Sequence, residues 1–344
     1  MIKVLVVDDS PVVREYLRYL LDADGGVHVV GTARNGEEAV AFVQKHKPDV
    51  VTMDIDMPRM NGYEATRRIM ETCPVPIVIA TASWDRKAAT ASMQALQAGA
   101  VTAVGKPLGL GHADQASSAH AFVATVKLMS EVKVIRHWSR PRMMAAPVRV
   151  PQRRVADAQL VAVGSSTGGP PALQTLLKGL PRNFPVPIVI VQHISPGFTE
   201  GLADWLQEST GFDVHVGRQD ERLLPGHVYV APDHKHLMVV DAEHAVLSDE
   251  PPENGLRPAV SCLFRSVAKS LGERAVGVLL TGMGRDGARE LKLMRDAGAT
   301  TIAQDKESSV VHGMPGEAIA MGGAEHVLAP EEIAALLTTL LPGR

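Results

Sequence analysis

LVAVGSSTGGP, residues 160–170, decides how the second half of this chain folds. An apolar run from Leu160 to Val163 has the length of a short buried strand, and at Gly164 it breaks into a loop of serine, threonine and glycine. Gly164, Ser166 and Gly168 form a G-x-S-x-G pattern. Small residues on both sides of a serine suit a sharp strand-to-helix turn, because they let the backbone bend and let a carbonyl approach the hydroxyl. Such a turn proposes acyl transfer with Ser166 as nucleophile. The same pattern also fits a plain turn or an anion-binding helix N-terminus.

A nucleophilic serine needs a base, and the base needs a group to orient it. In PVPIVIVQHISPGFT, His193 follows the strand-like run Ile188 to Val191. In AVGVLLTGMGRDGA, Asp286 stands in a glycine-rich loop after the run Val276 to Thr281. Loops at the carboxyl ends of neighbouring parallel strands meet along one edge of the sheet, so these residues have a place to converge. Taken singly, His193 reads as a capped surface histidine, and Asp286 as the N-cap of a helix over Gly287 to Ala297. Together with Ser166 they read as one site. Their chain order, Ser then His then Asp, differs from that of the α/β-hydrolases and excludes that fold.

The front of the chain holds a second pattern. MIKVLVVDD ends a β-branched run in Asp8 and Asp9, and PDVVTMDIDMP ends another in Asp54. Strand-end acids gathered at one edge form an oxygen-lined pocket of the kind that holds Mg²⁺. Thr81 follows the run PIVIA, and Lys106 follows AVTAVG. Carboxylates, a divalent ion, a hydroxyl and an ammonium together suit a phosphoryl group carried on one carboxylate.

This constellation resembles the receiver domain of two-component response regulators. The resemblance implies that Asp54 is the phospho-acceptor and that a histidine kinase is the phosphodonor. It also implies that Asp8 and Asp9, with the backbone of Asp56, hold Mg²⁺, that Thr81 is the switch hydroxyl, and that Lys106 contacts the phosphate. A receiver followed in order by GSSTGGP, QHISPGFT, VYVAPDHKHL, RPAV and LTGMGRDGA resembles the CheB family of chemotaxis protein-glutamate methylesterases. What this resemblance implies is hydrolysis of glutamate γ-methyl esters on chemoreceptors, and deamidation of receptor glutamines. Ser166, His193 and Asp286 fall on the family's catalytic positions. The GMG loop, Gly282 to Gly284, offers backbone donors for an oxyanion, and the resemblance points to the Met283 amide. Thr167 is expected either to orient His193 through its hydroxyl or to serve only in the first helical turn. The chain departs from the family where Ala259 and Ser261 replace the usual serine and aspartate after Arg257 and Pro258. It departs again at His312, where an aromatic residue is usual.

Composition agrees with this organisation. The chain has 344 residues, a net charge of -3 and a 45% apolar fraction, enough for two full cores and with no global attraction to nucleic acid. No run reaches membrane-span length and the N-terminus lacks a signal peptide's features, so a cytoplasmic location is expected. Cys73 and Cys262 are expected to be reduced packing residues. Alternating strand and helix patterns imply parallel sheets flanked by helices, and the resemblance implies their division into a flavodoxin-like (βα)5 receiver over 1–133 and a doubly wound, mostly parallel α/β catalytic domain over 157–344.

Between them, 134–156 reads as a linker, with Pro141, Pro147 and Pro151 among recurring arginines. It holds Trp138 but no nucleic-acid recognition motif. The HKH run, His234 to His236, would put two imidazoles on one strand face, but no third ligand stands at zinc spacing. The expected assembly is a monomer whose receiver obstructs the Ser166 cleft until Asp54 is phosphorylated.

Overall fold

The computed structural model describes residues 1–82, 86–109, 111–132, 134 and 158–342. The chain divides into two compact units, Met1–Arg142 and Met143–Arg344. Apart from Val134, the expected linker lies outside the described residues.

The first unit alternates strand and helix throughout. Its elements are β1 (Ile2–Val7), α1 (Pro11–Asp22), β2 (Val27–Ala33), α2 (Gly36–His46), β3 (Val50–Met53), α3 (Gly62–Thr72), β4 (Ile77–Thr81), α4 (Arg86–Gln97), β5 (Thr102–Gly105) and α5 (Gln115–Ser130). The strands pair in parallel in the order β2-β1-β3-β4-β5. Val4 to Val7 and all of β3 and β4 are buried, as expected of strands covered by helices on both faces. Three helices start on side-chain caps: Ser10, Asn35 and Asn61 each accept the amide three residues on. Each cap ends a strand-to-helix loop abruptly, which keeps the carboxyl edge of the sheet open for side chains.

The second unit is doubly wound. It comprises β6 (Leu160–Ser165), α6 (Gly169–Lys178), β7 (Ile188–Gln192), α7 (Thr199–Thr210), β8 (Asp213–Val216), β9 (Glu221–Arg222), β10 (His227–Val230), β11 (His236–Val239) and β12 (His244–Ser248). It continues with α8 (Val260–Ser270), a 3-10 turn (Gly272–Arg274), β13 (Ala275–Leu279), α9 (Ala288–Asp296), β14 (Thr300–Gln304), α10 (Met314–Ala320), β15 (His326–Leu328) and α11 (Pro330–Leu340). Seven strands form one wholly parallel sheet, ordered β15-β14-β13-β6-β7-β10-β8. The chain starts at β6 and builds toward β8, then returns to lay β13, β14 and β15 on the other side. The reversal between β6 and β13 is a topological switch point, where open α/β sheets bind ligands beyond the carboxyl ends of their strands.

Period-two alternation decides which core each strand residue enters. Leu160 and Ala162 of β6 and Val189 and Val191 of β7 pack with Phe264 and Val267 of α8 and Leu291 of α9. A three-stranded antiparallel sheet, β11-β12-β9, joins the same cluster through Leu237, Val239 and Ala245. The sequence reading did not anticipate this sheet: its strands are short, and β9 has only two residues. The expected HKH strand face is also absent. His234 lies in a turn with φ +61°, and only His236 enters β11. His236 is fully buried: its Nδ1 accepts the Ala259 amide at 3.2 Å, and its Nε2 lies 3.2 Å from the Pro251 carbonyl. With both nitrogens engaged, His236 is a core histidine and no metal ligand.

Candidate active site and phosphoacceptor pocket

The loops after β6, β7 and β13 carry Ser166, His193 and Asp286. Strand pairing sets their spacing, because Ser165 lies opposite Gln192 and Gly164 opposite Leu279. The Ser166 amide donates to Thr281 O at 3.0 Å, and the His193 amide to Ser165 O at 2.9 Å. Both bonds extend the sheet one residue past its last pairs. The turn from β6 into α6 then needs Gly168 at φ +77°, a region that disfavours side chains, and a Cβ there would lie 2.5 Å from Val310 Cβ.

Gln192 closes β7 and is buried. Its Nε2 donates to the carbonyls of Ser166 at 2.8 Å and His193 at 2.7 Å, while Oε1 accepts the Ser165 hydroxyl at 2.6 Å. One amide therefore fixes the backbone on both sides of the crevice. Gly169 leaves room for it, since a Cβ at that position would stand 2.0 Å from Oε1. Sequence reasoning missed Gln192. Its signal was a lone amide ending an otherwise apolar run; β14 also ends in an amide, Gln304, whose Oε1 accepts the Thr281 amide at 2.7 Å.

Nε2 of His193 lies 2.9 Å from Oδ2 of Asp286, a close contact without the alignment of a hydrogen bond. Asp286 does not cap α9. Gly287, in the left-handed region, occupies that cap, and the Asp286 carboxylate turns instead to the start of α8. There Oδ2 accepts the Val260 amide at 2.6 Å and Oδ1 the Ser261 amide at 3.1 Å. Ala259, at the N-cap of α8, has no side-chain oxygen, so the carboxylate of another loop satisfies these amides. Burial works to raise the Asp286 pKa, but His193, Ser261 and the Val260 amide outweigh it and hold it below the ordinary value. Ser261 tightens the arrangement by donating to Glu290 Oε2 at 2.7 Å and accepting the Gly287 amide at 3.1 Å.

Ser166 and Thr167 are half-buried. Among the described residues the Ser166 hydroxyl makes no hydrogen bond to His193, whose Nδ1 remains the nitrogen not directed at Asp286. The Thr167 hydroxyl makes none to His193 either; its carbonyl accepts Thr281 Oγ1 at 2.9 Å. In the GMG loop, Gly282 pairs with His312 across a parallel bridge, and Gly313 N and Met314 N donate to Gly282 O at 3.1 and 2.9 Å. The Met283 amide meets no acceptor among the described residues. His312 flanks this loop, and burial followed by Lys306 lowers its pKa.

The first unit gathers its own cluster at the carboxyl ends of β1, β3, β4 and β5. Carboxylate oxygens of Asp8, Asp9 and Asp54 lie within 4.8 Å of one another. Lys106 Nζ lies 2.7 Å from Asp8 Oδ2 and 3.0 Å from Asp54 Oδ1. Burial pushes the Asp54 pKa up to about 6, with Asp8 adding to the rise and Lys106 opposing it. Burial also works to lower the Lys106 pKa, but Asp8 and Asp54 hold it above its ordinary value. Thr81 ends β4, is buried, and accepts the Lys106 amide through its carbonyl at 2.8 Å. Asp56 is exposed and its carboxylate stands outside the cluster, so only its backbone remains available for the role the resemblance implies. Three converging carboxylates, with Asp8 Oδ2 buried and free of any aligned hydrogen bond, fit a hard divalent ion. Cys73 and Cys262 are both free thiols, and burial followed by Glu253 pushes Cys262 up to about 12.

Comparison with known proteins gives the same division. Residues 161–337 match the family described as CheB methylesterase, and residues 4–116 match the response regulator receiver domain. The protein-glutamate methylesterase/protein-glutamine glutaminase 4 of Geobacter metallireducens is 54% identical over 343 residues, covering 99% of each chain. The protein-glutamate methylesterase/protein-glutamine glutaminase of Nitrosospira multiformis is 54% identical over 349 residues, covering 100% of this chain and 98% of that one. The crystal structure of the Thermotoga maritima CheB methylesterase catalytic domain is 39% identical. It covers 53% of this chain and 98% of its own, with a TM-score of 0.52.

Proposed function

Because the chain belongs to the CheB methylesterase family, we propose that it is a phosphorylation-controlled serine hydrolase acting on glutamate γ-methyl esters of chemoreceptors, and on receptor glutamines as a deamidase. The observation that carries this reading is the His193–Asp286 contact at the end of the strand beside Ser166. In the proposed reaction, Nδ1 of His193 takes the Ser166 proton as Oγ adds to the ester carbonyl. The Met283 amide and its neighbours in the GMG loop stabilise the oxyanion. The tetrahedral intermediate collapses, the C–O bond to the methoxy group breaks, and His193 returns the proton so that methanol leaves. Water then adds to the acyl-enzyme by the same proton route and releases the glutamate carboxylate. Asp286, kept ionised by the α8 amides, stabilises the imidazolium formed in each half. For glutamine the leaving group is ammonia.

Control belongs to the first unit. In this reading Asp54 accepts a phosphoryl group from a histidine kinase, and Asp8, Asp9 and Asp54, with the Asp56 backbone, hold Mg²⁺. A bound Mg²⁺ would supply charge compensation for the phosphoryl oxygens, and Lys106 and Thr81 are placed to contact those oxygens once Asp54 carries them. The working division is a receiver over 1–133, a linker over 134–156 and a catalytic domain over 157–344. No helix among the described residues is long and apolar enough to cross a membrane. The reading places the protein in the cytoplasm as a monomer. Methanol release from a methylated receptor tests it: Ser166→Ala is expected to abolish turnover and labelling by a fluorophosphonate, and unchanged turnover would remove the triad from the account.

A further inference from the structure

At the far edge of the seven-stranded sheet, β8 and β10 present a second group of metal-ligating side chains that the esterase reaction does not use. Asp213 and His215 lie two residues apart on β8, and His227 on β10 stands directly opposite Asp213. One ligand atom from each lies within 4.8 Å of the others. His215 Nδ1 is 3.3 Å from Asp213 Oδ1, and His227 Nδ1 is 3.5 Å from Asp213 Oδ2. Both separations are close to the edge of about 3.3–3.4 Å that a tetrahedron of N and O ligands has around a zinc-sized ion.

Two further features prepare the group for an ion. His227 Nδ1 is buried and has no hydrogen-bond partner among the described residues, so as it stands its lone pair or proton is unsatisfied. His215 Nε2 lies 3.0 Å from Glu221 Oε1, which directs the Nε2 proton to Glu221 and leaves Nδ1 as a lone-pair donor toward Asp213 and His227. A carboxylate behind a histidine in this way fixes the ligating tautomer in metal sites. The ring is held as well: His215 packs edge-on against Tyr229, with ring centroids 4.7 Å apart and planes at 79°. Tyr229 is itself buried, and its hydroxyl donates to Arg222 O at 3.1 Å.

We infer that Asp213, His215 and His227 form a binding site for a borderline divalent ion of the Zn²⁺ class, with Glu221 positioning His215 and water completing the coordination. Asp213 and His227 are the first residues of β8 and β10, with His215 two residues into β8, whereas Ser166 and His193 follow the carboxyl ends of β6 and β7. It pins β8, the edge strand of the sheet, to its neighbour β10.

The test is Zn²⁺ titration of the untagged, chelator-stripped full chain against a chromophoric indicator, with excess Mg²⁺ present to occupy the carboxylates of the first unit. The expected result is one Zn²⁺ retained per chain. His215→Ala and His227→Ala should each weaken binding at least about 10-fold, and Glu221→Gln about 10-fold. Retention unchanged in the His215→Ala/His227→Ala double variant, or no retention by the wild-type chain, overturns the site. Co²⁺ substitution of the wild-type chain gives a readout that needs no variant. The visible absorption of a low-symmetry, four- or five-coordinate ion supports the inference, and the weak spectrum of octahedral Co²⁺ overturns it.

Discussion

One residue outside the proposed triad, Gln192, holds its backbone in shape, and one member of the triad, Asp286, is itself held by the start of α8. Gln192 satisfies a hydroxyl and two carbonyls at once. Replacing it with leucine keeps the approximate volume and leaves those groups without their partner, each at a cost of about 1–3 kcal/mol. Gln192→Leu is therefore expected to lower the unfolding free energy by at least about 2 kcal/mol in urea denaturation and to reduce kcat for methanol release by about 10-fold or more; wild-type stability would show that the clamp carries no energy. Asp286 is open to a pH test. Its folded pKa lies below the ordinary value of 3.8, so it binds protons less readily folded than unfolded. The stability it contributes is complete above the unfolded value and is lost as pH falls through the folded one. Asp286→Asn should cost about 1–2 kcal/mol at pH 7, since asparagine can still accept one of the two α8 amides, and the gap from wild type should close only as pH drops below about 4. A gap that persisted at pH 2 would mean that packing, not charge, is what the variant loses.

At the scale of elements, the β6–α6 turn is the part most legible in the sequence. Gly164, Ser166 and Gly168 mark it because a positive φ and close packing leave few other choices, and Gly168 indeed sits at φ +77°. Gly168→Ala adds about 1–2 kcal/mol of left-handed strain to a contact with Val310 that must shift. A fall in melting temperature of about 4–8 °C is expected for the second unit, read by calorimetry, together with loss of esterase activity. The start of α8 was less legible. Nothing local in RPAVS shows that its amides are satisfied by a carboxylate 26 residues on, because that partnership exists only once β13 has placed the Asp286 loop beside it. The same holds for Ser261. A departure from the family pattern, it bonds the Asp286 loop and Glu290. Non-local capping and short antiparallel strands escape period-based reading, whereas long buried parallel strands with polar residues at their ends do not.

For the whole molecule, the proposed link between the units is chemical and can be tested without knowing how they sit together. Asp54→Asn should leave basal methanol release near the wild-type level and abolish its rise on addition of a small-molecule phosphodonor with Mg²⁺; removal of Mg²⁺ by EDTA should do the same to the wild-type chain. Activation that survived Asp54→Asn would place control elsewhere. The two-unit organisation and both parallel sheets were readable because strand-end chemistry recurs at each carboxyl edge. The order of winding in the second sheet was not, although it has the larger consequence. Ser166 and His193 belong to the half laid down first, and Asp286 to the half laid down after the reversal at β6. On the ribosome, a chain synthesised only as far as β12 carries the serine and the imidazole but neither the acid nor the GMG loop, so on the proposed assignment a growing polypeptide is chemically silent until its last fifth emerges.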